Sequence, residues 1–306
     1  MRLLHILFLF GCTSLFAQQE GIFSQFFYNK LITNPGAAGS TGLPCLTAFH
    51  RQQWAGLEGA PVTQALSFNS PILAGRVGLG LTLVNDRIGF MNSTFAQAAY
   101  AYRVPIGNGF LGMGLHGSLT RHDADLAEIR TISGTMNGAE DMMDLSYDYN
   151  VGMGAHFENE RFFVGMAVPQ VLDRGQSNGL VRHLFVNAGA LLDLSERLKM
   201  RTAAAVRMVE NAPPSVDAHL GFGFTKETKL WLGSTLRLSS TFDGLGGDAL
   251  VAVGQYQLSE RLRMGLAYDF GLGAVRRGNA GSFELMLEYA FVKAGPLVPA
   301  LRPRYF

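Results

Sequence analysis

The stretch RLRMGLAYDFGLG, residues 261–273, decides the fold. Leu262, Met264, Leu266, Tyr268, Phe270 and Leu272 share one side of an extended chain, while Arg263, Gly265, Ala267, Asp269 and Gly271 share the other. Such strict alternation is the period of a β-strand, because successive side chains point to opposite faces. The next segment, GSFELMLEYAF at 281–291, repeats it, with Phe283, Leu285, Leu287, Tyr289 and Phe291 set against Ser282, Glu284, Met286, Glu288 and Ala290. An apolar face of this kind suits either the lipid side of a membrane barrel or the core of a soluble sandwich, so alternation alone leaves both open.

Outward from these two strands, comparable stretches occur near 44–53, 62–70, 77–86, 94–104, 109–121, 144–157, 161–170, 181–194, 197–209, 215–226, 229–239 and 248–258. The total is about 14 strands, with 12 to 16 compatible with the pattern. The stretch 44–53 lacks clean alternation, and 248–258 carries Val251 and Val253 on the side that should be polar. Short charged turns, ENE at 158–160, LSER at 194–197, KETK at 226–229 and LSER at 258–261, alternate with longer links near 122–143, 171–180, 210–214, 240–247 and 274–280. Segregation of short and long connections is the signature of an outer-membrane barrel with short periplasmic turns and longer external loops, and an even strand number returns both termini to the periplasm.

Composition agrees. Charged residues make up 16% and Gly 37 of 306, against roughly 25% and 7% in ordinary soluble chains. A net charge of +1 gives no case for nucleic acid. After the first residues, no apolar run is long enough for a membrane helix, whereas a closed barrel satisfies every backbone amide between strands. The start, MRLLHILFLFGCTSLFAQQ, has the order of a signal peptide over residues 1–17, with lipidation at Cys12 as the alternative to cleavage after Ala17. Cleavage would leave only Cys45, so no internal disulfide or Cys metal site is expected. The expected organisation is a signal peptide at 1–17, a periplasmic or plug-like segment at 18–43, the barrel at 44–291 and a periplasmic tail at 292–306.

Aromatic residues mark membrane boundaries in barrels. Phe157, Phe162, Phe224, Tyr256, Tyr289 and Phe291 fall at the expected periplasmic rim and Tyr147, Phe270 and Phe283 near the other, whereas Trp231 has the wrong parity for a girdle. GMGLHG, Gly112 to Gly117, matches a dinucleotide-binding fingerprint but lies inside an alternating strand with no helix after it, so lumen-facing glycine is the better account. RHDADLAEIR at 121–130 has neither calcium-loop nor zinc spacing and reads as a hydrated external loop. His116, His156 and His183 have lumen-facing parity, as do the charged residues Lys199, Arg201, Arg207, Asp217, Arg237, Arg263, Asp269, Glu284 and Glu288. Mixed signs there favour internal salt bridges or a plugged lumen over a strongly ion-selective pore. No nucleophile, base and orienting group occur at a defensible spacing, and neither a cofactor, a metal nor a catalytic residue is expected.

In HRQQWAGLEGAPVTQALSF, residues 50–68, Gly56, Gly59 and Pro61 suit an external turn joining the first two strands, but Arg51, Gln53 and Trp54 exceed what a turn needs. Together with the upstream IFSQFFYNKLITNPGAAGSTG at 22–42, this segment resembles the N-terminal signature of the PorP/SprF family of Bacteroidetes outer-membrane proteins. The resemblance rests on Phe23, Ser24, Gln25 and Phe26, on Asn34 and Pro35 with Ala38 and Gly39, then on Arg51, Gln53, Trp54, Gly56, Gly59 and Pro61, with Gly36 standing where Ala is expected. It extends through NDRIGF at 85–90 and YAYRVPIGNGFLGMGLHG at 100–117 to the closing strand. It implies a barrel in outer-membrane lipid that works with the type IX secretion system in secretion or surface attachment of particular cargo and, in some members, in gliding motility. The implied partners are the C-terminal domains of secreted cargo and periplasmic components of that system. A general porin or solute-transport barrel is the competing reading, and an exported soluble β-domain with a cleft the third.

Overall fold

In a computed structural model of the chain, residues 23–124, 146–172, 183–209, 212–224, 229–241, 244–272 and 280–291 are described. They form a closed antiparallel barrel of fourteen strands in which each strand pairs with its neighbours in sequence and the first pairs with the last. The strands are β1 (Cys45–Gln52), β2 (Val62–Ile72), β3 (Val77–Ile88), β4 (Met91–Ile106), β5 (Gly109–Ala124), β6 (Ser146–Glu158), β7 (Phe162–Val168), β8 (His183–Asp193), β9 (Leu198–Val209), β10 (Ala212–Phe224), β11 (Leu230–Thr241), β12 (Gly244–Gln257), β13 (Leu262–Gly271) and β14 (Ser282–Ala290). Closure abolishes the free edges that would leave backbone groups unpaired in hydrocarbon. No helix among the described residues is long and apolar enough to cross a membrane.

The alternation of β13 and β14 becomes an inside and an outside. Along β14, Ser282, Glu284, Met286, Glu288 and Ala290 are buried, whereas Phe283, Leu285, Leu287 and Tyr289 are exposed on the outer wall. Strand β1, equivocal in sequence, alternates as well, with Cys45, Thr47, Phe49 and Arg51 turned inward. Val251 and Val253 do face the lumen, where they form an apolar cluster with Ala249 and Ala267. Trp231 is likewise buried inside and belongs to the lumen rather than to a girdle. The girdle residues are exposed except for half-buried Phe157, and Tyr289 and Phe291 touch edge-on with ring centres 5.0 Å apart, while Phe270 meets half-buried Tyr268 at 4.5 Å.

Several expected boundaries shift. The links placed at 210–214 and 240–247 are mostly strand, since β9 runs to Val209 before β10 begins at Ala212, and β11 runs to Thr241 before β12 begins at Gly244. The pair Pro213 and Pro214 falls where the β9–β10 register shifts, which is where a sheet tolerates residues that cannot donate. Two-residue turns with positive φ at Gly89 (55°) and Gly107 (58°) let β3–β4 and β4–β5 extend further than read from sequence. The loops expected at 122–143, 171–180 and 274–280, the signal peptide and the tail at 292–306 lie wholly or largely outside the described residues.

Candidate functional site

Residues 23–43 run inside the barrel. They form two short 3-10 turns, Lys30–Ile32 and Pro35–Ala37, joined by bends. Phe27, Ala37 and Ala38 have no accessible surface, and Leu31 has 1%. A segment with so little regular structure must find partners for its backbone elsewhere. It finds them on the inner faces of the strands.

The upper part of this plug, toward the external mouth, is held by charge. Ser24 and Gln25 donate their backbone amides to Glu284 on β14, at 2.7 and 3.0 Å. The Ser24 hydroxyl donates to Asp269 on β13 at 3.0 Å and accepts from Arg51 on β1 at 2.8 Å and from Arg237 on β11 at 3.1 Å. One donor and two acceptor positions exhaust what a hydroxyl offers. Around it Arg51 bridges Asp269 (2.5 Å) and Glu284 (3.1 Å), and Arg237 bridges Asp269 (3.0 Å) and Asp217 on β10 (3.0 Å). Arg207 on β9 closes the chain onto Asp217 at 2.6 Å. Three guanidinium groups thus meet three carboxylates across β1, β9, β10, β11, β13 and β14, with Ser24 at the centre. Such a network specifies one arrangement rather than adding much net stability, because desolvation offsets most of the attraction.

Below it lies an aromatic and amide layer. The Arg201 guanidinium stacks over Phe27 (4.3 Å), Tyr28 (5.0 Å) and Trp231 (4.5 Å), and it donates to Tyr28 and, at 2.8 Å, to Gln255. Gln255 also accepts from Tyr28 at 2.6 Å and donates to Gln25 at 3.1 Å. Arg263 stands over Tyr28 at 4.7 Å with Glu288 4.0 Å away. Across the lumen, Lys30 pairs with Glu158 and covers the Phe163 ring, and His156 lies 3.1 Å from the same carboxylate.

The lower part is held by backbone approach. Asn34 donates to the Ala155 carbonyl at 3.0 Å and caps Gly36, Asn69 accepts from Gly39 at 2.6 Å, and Gln97 donates to the Leu31 carbonyl at 2.9 Å. The strands here present glycine because nothing larger fits. A Cβ on Gly78 would sit 1.9 Å from the Ala38 oxygen, on Gly112 2.2 Å from the Gly36 oxygen, on Gly114 2.3 Å from Pro35, and on Gly154 2.2 Å from the Asn34 side-chain oxygen. The apparent dinucleotide fingerprint is therefore a seat for the chain's own segment 34–36, with Gly112 and Gly114 inside and Gly117 exposed on the outer wall. Gly36 itself has backbone atoms 2.9 Å from where its Cβ would be, which accounts for glycine in place of the expected alanine.

The sequence-derived residues therefore divide. Arg207, Asp217, Arg237, Asp269 and Glu284 form one network with Ser24, Gln25 and Arg51, whereas Lys199 lies at the periplasmic rim, partly exposed and paired with Asp193 at 2.6 Å. It keeps the inward parity of Arg201 and Arg207, but at the second position of β9 it lies at the mouth rather than in the buried layers. Arg51, read as exceeding what the hairpin turn needs, lies in β1 with 1% exposure. Phe23 packs on Phe49 at 5.0 Å between ring centres. Gln53 and Pro61 close the β1–β2 loop, the Gln53 amide donating to the Pro61 carbonyl at 2.9 Å. Trp54 adopts a φ of 46° and donates its amide to Ser282. The loop is tied to its neighbours by Ala55 with Gly281 and Ala280 (2.8 Å each) and by Gly59 with Gly89 (2.9 Å). Sequence reasoning missed Lys30, which lies outside the strands and has no parity to read, Glu158, read in the turn at 158–160 but placed at the end of β6, and Gln255, whose partner in the plug parity does not show. No group of three metal-ligating side chains occurs among the described residues.

A membrane barrel whose lumen carries its own N-terminal segment is thus the class defined by fold and site. The model of the type IX secretion system membrane protein PorP/SprF matches residues 15–289, and the chain belongs to that family. The barrel is accordingly an outer-membrane protein associated with type IX secretion. No curated protein matches the chain. Among solved structures it is similar to the TodX deltaS2S3 mutant monoaromatic hydrocarbon channel (TM-score 0.52, 11% identity, 85% of this chain and 93% of that one). It is also similar to the Pseudomonas putida toluene transporter TodX (TM-score 0.50, 11% identity, 86% and 93%). At that identity the likeness concerns the barrel fold alone.

Proposed function

We propose that this barrel acts without catalysis as a closed outer-membrane scaffold of the type IX system, supporting secretion or surface attachment of particular cargo through their C-terminal domains. Export would use the leader at 1–17, and the tail at 292–306 would reach periplasmic components of the system. The observation that carries this reading is the occupied lumen. A diffusion channel needs a water-filled path, whereas here Ser24, Phe27, Tyr28, Lys30 and Asn34 engage β13, β10, β12 and β6 on different sides of the lumen. The mixed-sign network argues in the same direction, because its charges are spent on each other and on the plug.

The test is deletion of the gene followed by comparison of surface-exposed proteins and of small-solute uptake. The reading expects specific surface proteins to be lost or retained in the cell with uptake unchanged. An unchanged surface with altered uptake would instead favour a solute channel. A role in gliding follows if the lost proteins are adhesins and cells stop moving over surfaces.

A further inference from the structure

Beside the glycine seat lies a polar joint whose hydrogen bonds the described residues do not complete. On the inner wall His156 of β6, Gly165 of β7 and Asn187 of β8 stand opposite one another in the ladder. A Cβ on Gly165 would come within 2.5 Å of Asn187 Oδ1, 2.8 Å of Asn34 Nδ2 from the plug and 2.9 Å of His156 Nδ1. Three polar atoms thus face one point of the wall. Asn34, His156 and Asn187 are buried, with 1%, 2% and 7% exposure. His156 Nδ1 and Asn187 Oδ1 have no hydrogen-bond partner among the described residues. Their surroundings are apolar, with Phe163 and Ala167 flanking Gly165 on the inner face of β7 and Ala205 opposite Asn187 on β9.

Burying polar atoms without partners is costly, so a joint of this kind calls for a ligand, and the valences define which. Glu158 pairs with Lys30 as a carboxylate and accepts from His156 Nε2 at 3.1 Å. Nδ1 of that neutral ring is therefore an acceptor. Asn34 Oδ1 accepts from the Gly36 amide at 2.9 Å, which fixes the orientation of the Asn34 amide. One hydrogen of its Nδ2 goes to the Ala155 carbonyl at 3.0 Å, leaving the second for the joint. The joint thus presents one donor and two acceptors, the complement of a water molecule that accepts once and donates twice. A metal ion would meet the Asn34 N–H, and an anion would meet two acceptors. With all three atoms so close to one point, no two stand more than about 6 Å apart, a span that two hydrogen bonds through one oxygen cover.

We propose that Asn34, His156 and Asn187 bind one ordered water molecule over Gly165, which accepts from Asn34 and donates to His156 and Asn187. It closes a ring of polar contacts that leaves the plug at Lys30, passes through Glu158 and His156 on the wall and returns to the plug at Asn34. Buried water with three such partners is part of a structure rather than its solvent. The inference concerns how the plug is seated and does not depend on the secretion reading.

The test is a crystal structure of the full chain that resolves ordered water, paired with that of Asn187→Leu, heat-modifiable gel mobility verifying that the variant is folded. One spherical peak within hydrogen-bond distance of all three atoms is expected in the wild type and none in the variant. In a background carrying Ala37→Cys and Cys45→Ser, Asn187→Leu should speed maleimide labelling about fivefold, the factor that one lost hydrogen bond gives. The proposal falls if the Asn187 amide is found turned over and donating directly to His156 with nothing between them. It falls equally if the peak has the coordination of a metal ion, or if the folded variant keeps the peak or the slow labelling.

Discussion

The two halves of the plug are held by different physics. At Ser24 the barrel reads the segment through side-chain charge, with Arg51, Arg237, Asp269 and Glu284 converging on one hydroxyl and two amides. At residues 34–39 it reads the segment through the absence of side chains, four wall glycines admitting the plug backbone to contact. The first attachment fails when a charge loses its partner. The second fails when an atom is added. Each half therefore has its own characteristic damaging substitution, and the contrast can be broken from either side.

The largest effect is expected for Arg51→Met. It leaves Asp269 and Glu284 buried without their shared cation, a loss of about 3–5 kcal/mol, and should lower the temperature at which the folded band converts to the unfolded one in heat-modifiability gels. If Arg51→Met melts like the wild type, the network does not hold the upper plug. Gly78→Ala or Gly114→Ala should cost about 1–3 kcal/mol by overpacking and displace only the lower half. A cysteine replacing buried Ala37, in a background with Cys45 replaced by Ser, should then react with maleimide several times faster than without the glycine change. Labelling that is equally slow in both would show that the seat relaxes freely. Ser24→Ala removes the hydroxyl that joins two guanidinium groups to Asp269, at about 1–3 kcal/mol for the groups left unsatisfied, with the loss recovered by Ser24→Thr if the hydroxyl is what matters. Gly36→Ala should cost no more than the wall glycines, about 1–3 kcal/mol, because three backbone atoms stand 2.9 Å from its Cβ position and none can rotate away.

How much of this was readable follows the same division. Alternation along β13 and β14 was enough for strands with an inside and an outside, since one periodicity both defines a strand and sorts its faces, while the choice of a barrel over a sandwich came from the connections and the composition. The charges at 207, 217, 237, 269 and 284 were found by parity. Parity says which way a side chain points and nothing of which strands face each other across the lumen, so the convergence on Ser24, and Arg51's place in it, could not be seen. Lys199 shows the same limit, for parity gives a face and not a depth, and a residue at the mouth reads like one deep inside. Gly112 and Gly114 were read as lumen-facing, but what the four wall glycines make room for was not visible, because those atoms belong to a segment some 40 to 120 residues away in sequence. The two-residue turns and the register shift near Pro213 moved strand ends for local reasons that a count of alternating residues does not register.

The central claim is that residues 23–43 fill the barrel, and electrical recording in planar bilayers tests it most directly. The purified full chain should insert without a sustained conductance, while a variant lacking residues 23–41, folded by the heat-modifiability criterion, should open steady single channels. A stable, porin-like conductance from the unaltered chain, unchanged by the deletion, would contradict the account.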